Sequence, residues 1–153
     1  MPSHTTLETT GIIIVDHGSR RPESNEMLQA ATERFAAQAE YAIVEPAHME
    51  LCEPTIAQAF AKCVHRGANR VIVFPYFLSP GRHWTEDIPS LVAAAATEFP
   101  GVRWLVTAPF GLHPGMLDII NDRILHCILA AQQDTEAESC DVCESSMRCQ
   151  FRG

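Results

Sequence analysis

The run Ile12-Ile13-Ile14-Val15, followed by Asp16-His17-Gly18-Ser19-Arg20, constrains the fold more than any other stretch of the chain. Four consecutive β-branched residues suit a buried strand, and Gly18 gives the backbone freedom to turn at its end. The polar residues that follow have helix-starting character. His17 is thereby placed at the carboxyl end of a strand. In open α/β sheets that edge is where ligands bind, because the strand-to-helix loops converge there.

The rest of the chain repeats the pattern. Pro22 and Ser24 precede a helical segment whose apolar positions Met27, Leu28, Ala31 and Phe35 share one face. An extended run from Tyr41 to Met49 leads to Glu50, Leu51, Cys52 and Glu53. Pro54 fits the first turn of a second helix, with Ile56, Phe60 and Val64, that ends at Gly67. The third strand covers Arg70 to Phe77, and Pro75 predicts that its ladder stops near that point. Leu78 to Trp84 reads as a loop, Asp87 to Glu98 as an alanine-rich helix, and Val102 to Ala108 as a fourth strand. After a loop over Pro109 to Pro114, Met116 to Ala131 forms a long helix with Leu117, Ile120, Ile124 and Ile128 on one stripe. Four βα units predict an α/β fold: a parallel four-stranded sheet flanked by helices.

A chain of 153 residues is expected to be one domain and can bury roughly 68–70% of its unfolded surface. The expected organisation is a polar segment over 1–10, a single α/β domain over 11–131, and a cysteine-containing tail over 132–153. With 46% hydrophobic and 20% charged residues, the composition is that of a globular domain. A formal charge of -8 without any Lys/Arg-rich run argues against a nucleic-acid or anionic-membrane partner. The longest apolar run in a helical context, Leu91 to Ala96, is far below the roughly 18 residues of a membrane span. Met1 to Thr10 has neither an apolar core nor arginines, so it is no signal or transit peptide as it stands. The expected compartment is the cytoplasm, or the plastid stroma where a presequence has been removed.

In a parallel sheet the strand-to-helix loops share one edge. That edge collects His17, Glu50 and His83, with His113 as a further member. Two imidazoles and a carboxylate suit either a divalent metal or acid–base work. The alternative for any single loop histidine is a solvated or hydrogen-bonded side chain, whereas His48, nearer the strand body, is read as a satisfied buried or half-buried histidine. Phe74 and Tyr76 are expected in the core, whereas Trp84 in its loop is a candidate to meet a flat apolar ligand. Arg20, Arg21 and Arg82 lie close to these loops, so a planar ring bearing carboxylates fits the surroundings.

These residues also carry a family resemblance. Asp16-His17-Gly18-Ser19-Arg20-Arg21-Pro22-Glu23-Ser24-Asn25, then His48-Met49-Glu50-Leu51, then Phe77-Leu78-Ser79-Pro80-Gly81-Arg82-His83-Trp84 through Asp87-Ile88-Pro89 resemble the short-form class II sirohydrochlorin chelatases, in order from about Gly11 to Ala131. The resemblance implies ATP-independent insertion of Fe(II) or Co(II) into sirohydrochlorin, on the routes to siroheme or cobalamin. Ni(II) is a further metal for the reaction in vitro. By resemblance, His17 and His83 are the paired metal-handling histidines and Glu50 the nearby carboxylate. Ser19, Arg20, Arg21, Arg82 and Trp84 are then the substrate-binding candidates. The family's two lobes around a cleft imply that this chain supplies one lobe and pairs as a homodimer.

Cys140, Cys143 and Cys149 give a C-x2-C-x5-C pattern that needs a fourth ligand to complete a zinc site or a four-thiolate cluster. Cys127 is the nearest candidate, with a small buried apolar residue as its other reading. Cys52 and Cys63 read as structural thiols. The tail is similar to the carboxy-terminal cysteine group of plant-type sirohydrochlorin ferrochelatases, which implies a [2Fe-2S] cluster and iron as the inserted metal. Two competing functions remain. A histidine phosphatase would begin Arg-His-Gly, but Asp16 stands where the arginine belongs and would repel phosphate. A metal or tetrapyrrole carrier would use the same histidines without turnover.

Overall fold

The computed structural model describes residues 7–132 and 140–143. The chain divides into two compact units, Met1–Gly111 and Leu112–Gly153. The first holds a four-stranded parallel sheet of strands β1 (Thr10–Asp16), β2 (Ile43–His48), β3 (Arg70–Pro75) and β4 (Arg103–Val106), in the spatial order β2-β1-β3-β4. Its helices are α1 (Pro22–Gln38), α2 (Ile56–His65) and α3 (Ile88–Ala96), the last preceded by one π-helical turn at His83–Asp87. The second unit holds α4 (Gly115–Ala131) and the described part of the cysteine segment. No helix among the described residues is long and apolar enough to cross a membrane.

Strand β1 is buried on both faces because its side chains alternate between two layers. Ile13 and Val15 join the larger core with Ile56, Phe60, Val71, Val73, Ile88 and Val92 from α2, β3 and α3. Ile12 and Ile14 join Leu28 of α1, flanked by Tyr41, Val44, Ile72 and Phe74. Gly11 lets α2 approach closely, since a Cβ there would lie 2.8 Å from Cys63 Cβ. The buried Glu45 carboxylate is satisfied by Lys62 and Arg66, each at 2.7 Å.

Four local expectations are corrected. In α1 the buried positions are Leu28 and Thr32, while Met27 and Phe35 are exposed. Thr32 can face inward because its hydroxyl donates to the Leu28 carbonyl at 2.8 Å, which removes the cost of burying it. Pro54 is not in the first helical turn. It follows a cis Glu53–Pro54 bond, and Thr55 caps α2 instead. Thr55 Oγ accepts from Gln58 N–H at 3.2 Å while Gln58 Oε1 accepts from Thr55 N–H at 2.8 Å, a reciprocal capping box. Leu78 to Trp84 is not loop throughout. The Gly81 carbonyl accepts from both Trp84 N–H and Thr85 N–H at 3.0 Å, so the chain turns helical at His83, before Asp87. Finally, β2 and β4 are shorter than read, at Ile43–His48 and Arg103–Val106. β3 ends at Pro75, as the missing proline N–H dictates.

Candidate functional site

Because β2 and β3 flank β1 on opposite sides, the winding of the sheet reverses at β1, and the carboxyl end of such a switch point is where open α/β sheets bind ligands. His17 follows β1, Glu50 lies two residues beyond β2, and His83 opens the π-helical turn after β3. The structure brings the three together. His17 Nε2 lies 3.0 Å from Glu50 Oε1, and the His17 and His83 rings meet edge to face with centroids 5.0 Å apart. Both imidazoles and the carboxylate are substantially exposed, as groups that exchange partners with solvent or ligand must be. Phe77 flanks His83, with ring centroids 6.3 Å apart.

The backbone supports this arrangement with close contacts. Met49 N–H donates to Asp16 C=O at 2.9 Å and Glu50 N–H to His17 C=O at 3.2 Å, which extends the β1–β2 pairing past the last strand residues. Gly18 has φ +87°, and a Cβ there would lie 2.0 Å from the Glu50 carbonyl oxygen. Only glycine satisfies both the left-handed backbone and that approach. Leu51 also has positive φ, at 70°, a strained conformation for a non-glycine residue next to Glu50.

Two carboxylates that sequence reasoning did not assign bind the neighbouring histidines. Asp87 Oδ2 lies 2.7 Å from His83 Nδ1. A carboxylate only accepts, so Nδ1 carries a proton, and in the neutral ring the lone pair is on Nε2. The i,i+4 spacing of His83 and Asp87 was the available signal, but it counts only on a helix, and this segment read as loop. Asp16 Oδ1 lies 2.5 Å from His48 Nδ1 and accepts from Gly18 N–H at 2.9 Å. His48 is 3% exposed and hydrogen-bonded, the satisfied buried histidine that was expected.

The remaining candidates divide. Ser19 Oγ accepts from Arg21 N–H at 3.0 Å, and its backbone exchanges hydrogen bonds with the Asn25 amide at 3.0 and 2.8 Å. Ser19 thus orders the entry to α1. Arg20 and Arg21 are exposed, whereas Arg82 pairs with Glu86 at 3.2 Å. Trp84 is half-buried and its Nε1–H donates to the Thr107 carbonyl at 2.7 Å, so this indole anchors the π turn to the segment after β4. Tyr76 and Phe74 both stack edgewise on Phe110, at 4.9 and 5.2 Å. Phe74 belongs to the α1-side core as expected, while Tyr76 is exposed. In the second unit, His113 Nδ1 accepts from Gly115 N–H at 3.1 Å at the start of α4. No group of three or more His, Cys, Asp or Glu side chains among the described residues is disposed to hold an ion as it stands. Glu50 is turned onto His17 instead.

Within the second unit, Cys143 N–H points at Cys140 Sγ at 3.4 Å. The backbone N–H groups of Cys143 and then Val142 hold the Cys140 thiol below its ordinary range. Arg123 on α4 makes a bidentate pair with Asp141, which raises its own pKa further. Cys127 is exposed, which overturns its reading as a small buried residue. Cys149 lies outside the described residues.

Comparison with known proteins places this geometry. The chain is 54% identical over 144 residues to the chloroplastic sirohydrochlorin ferrochelatase of Arabidopsis thaliana, covering 94% of this chain and 63% of that protein. It is 34% identical over 137 residues to the sirohydrochlorin cobaltochelatase of Methanococcus maripaludis, covering 73% of this chain and 95% of that one. Among solved structures, SirB from Bacillus subtilis with Fe3+ superposes with a TM-score of 0.72 at 30% identity, over 75% of this chain and 46% of SirB. The chain therefore spans less than two thirds of the plant enzyme and about half of SirB. The CbiX family model matches residues 11–127, and the chain belongs to the CbiX family.

Proposed function

We propose that this chain is a sirohydrochlorin ferrochelatase, inserting Fe(II) into sirohydrochlorin without ATP. The observation that carries the reading is the convergence of two imidazoles, 5.0 Å apart, with a carboxylate 3.0 Å from one of them, at the carboxyl edge of the sheet. The resemblance to the plant ferrochelatase supports the choice of substrate.

Insertion exchanges one Fe2+ for two pyrrole N–H protons, so the site must both present a metal and remove protons. His83, with Nδ1 protonated and bound by Asp87, offers its Nε2 lone pair to the ion. His17 ligates from the facing side or accepts a proton, and Glu50, in contact with its Nε2, relays that proton to solvent. The metal here is a substrate in transit. Two imidazoles and one carboxylate hold it loosely enough for four ring nitrogens to take it. Arg20, Arg21 and Arg82 meet the carboxylates of the tetrapyrrole, while Ser19 and Trp84 fix the loops that bear them.

The chain acts as a homodimer in this reading. It supplies about half of SirB's length, and α4 carries exposed Leu117, Ile120, Ile124 and Ile128 on one stripe, apolar surface that a second copy would cover. Cys140 and Cys143, with Cys127 and Cys149, would hold a [2Fe-2S] cluster. The two cysteines spaced by two residues in one turn and the N–H groups directed at Cys140 Sγ fit a thiolate-ligated cluster, whose contribution would be redox sensing or structure. The chloroplastic location of the plant relative supports a plastid stroma as the compartment.

The test is anaerobic chelation of sirohydrochlorin with Fe(II), Co(II) and Ni(II) on one preparation. Turnover with Fe(II) above the uncatalysed rate is expected, with most of the gain lost in H17A and in H83A. Equal rates with and without protein refute the reading. Preference for Co(II) at matched concentration would favour the activity named for the Methanococcus relative.

A further inference from the structure

Asp16 and His48 form the last cross-strand rung between β1 and β2, one residue before His17 and two before Glu50. Their side chains meet at 2.5 Å, with His48 4% and Asp16 19% exposed, so this histidine cannot reach a ligand as His17 and His83 can. The carboxylate makes the contact directional. A carboxylate only accepts, so His48 donates from Nδ1, and the same Oδ1 accepts Gly18 N–H. One oxygen therefore holds the β2 end through His48 and the left-handed turn of the β1 loop through Gly18. The His48 side chain also packs against that turn, since a Cβ on Gly18 would lie 3.2 Å from His48 Cβ.

We propose that Asp16 and His48 are positioning residues, acting through the Gly18 turn to hold His17 Nε2 opposite Glu50. The inference rests on the chelatase reading for its kinetic consequence only. The Asp16 carboxylate joins the two loops on the side-chain side, as Met49 N–H to Asp16 C=O and Glu50 N–H to His17 C=O join them along the backbone. Removing the side-chain link leaves the backbone bonds, at 2.9 and 3.2 Å, to keep a 3.0 Å side-chain contact in register.

Two readouts test this, kinetics and the imidazole 1H–15N spectrum of the full chain. His48→Ala is expected to lower kcat about tenfold to a hundredfold, the effect of an ångström-scale misplacement, with KM for sirohydrochlorin within threefold. His48→Asn, whose side-chain amide N–H can replace Nδ1–H toward Asp16, is expected to recover most of kcat. In a Glu50→Ala background His48→Ala should add little, because the alignment it maintains has already been lost. The His17 ring signals should shift in H48A and return in H48N. Unchanged His17 signals in H48A overturn the proposal, as do equal losses in H48A and H48N or full additivity with E50A. Failure of the chelatase reading appears separately, as a wild-type protein that does not turn over sirohydrochlorin with Fe(II), and the spectra still decide the positioning role.

Discussion

Replacing Gly18 by alanine is the sharpest perturbation of the site that leaves every catalytic candidate in the sequence. The added Cβ would sit 2.0 Å from the Glu50 carbonyl oxygen, where a carbon–oxygen contact needs about 3.3 Å, so the β1 and β2 loops must part by roughly 1.3 Å. The φ of +87° adds the cost of a left-handed backbone, roughly 1–2 kcal/mol for an L-residue. With the strain of loop separation included, a total loss of about 2–4 kcal/mol in unfolding free energy is expected. The parting acts directly on the 3.0 Å contact between His17 Nε2 and Glu50 Oε1, and displacement of about 1 Å lowers turnover on the order of a hundredfold. Urea unfolding gives the first quantity and anaerobic chelation the second. Gly101→Ala is the control, since a Cβ there meets nothing within 4 Å and its φ is not left-handed. A G18A protein with wild-type urea midpoint and kcat/KM within twofold of wild type would show that the loops are not locked together at this glycine.

Burial, with the Glu45 charge second, pushes the Cys63 thiol from 9.0 up to about 12. The folded chain then keeps a proton that the unfolded chain has released, so stability from this group is full below pH 9.0 and is lost as pH rises toward about 12. Urea midpoints in that window should fall less steeply in C63A than in wild type, and a maleimide at pH 8 should label Cys63 only after denaturation. Trp84→Phe deletes the bond to the Thr107 carbonyl and should cost about 1–2 kcal/mol by urea unfolding, with KM for sirohydrochlorin little changed. A large rise in KM without a loss of stability would instead return Trp84 to a role in ring stacking. Anaerobically purified protein is expected to absorb in the visible and to lose that absorbance in C140A and in C143A. A colourless, zinc-loaded wild type would refute the cluster.

The sheet was legible because each of its signals is local. Ile12 to Val15 has no reading other than a buried strand, and the order of β-branched runs and helical stripes enforces parallel pairing without any knowledge of strand order. That was enough to bring His17, Glu50 and His83 to one edge. What escaped was decided by competition between neighbours. Thr32 reads as a polar interruption of an apolar face until its hydroxyl is given the Leu28 carbonyl. Pro54 has the credentials of a first helical turn, yet Thr55 and Gln58 form a capping box one residue later and exclude it. Trp84 in a loop looks like a ligand platform, and becomes an anchor only when the Gly81 carbonyl starts the helix early and brings the indole to Thr107. The partner of His83 was hidden by the same misreading of that segment, whereas the partner of His48 required the β1–β2 register, which no periodicity reveals.

Three histidine–carboxylate pairs now stand at one sheet edge, and their burial assigns them different work. An exposed imidazole exchanges its partner with water, metal or a pyrrole proton at little cost, because solvent compensates whichever charge is left. His17 with Glu50, at 41% and 58% side-chain exposure, and His83 with Asp87, at 51% and 36%, are of this kind. The Asp16 and His48 pair, at 19% and 4%, is not: separating it would strand a carboxylate with little water to take the place of the lost donor. The proposed chelation would use both kinds. The metal must pass through groups that let go of it, and those groups must be held to within fractions of an ångström while it passes. On the proposed chelatase reading, the buried pair frames the two outer pairs without itself offering the metal a ligand, which gives a third histidine a role beside a reaction that uses two.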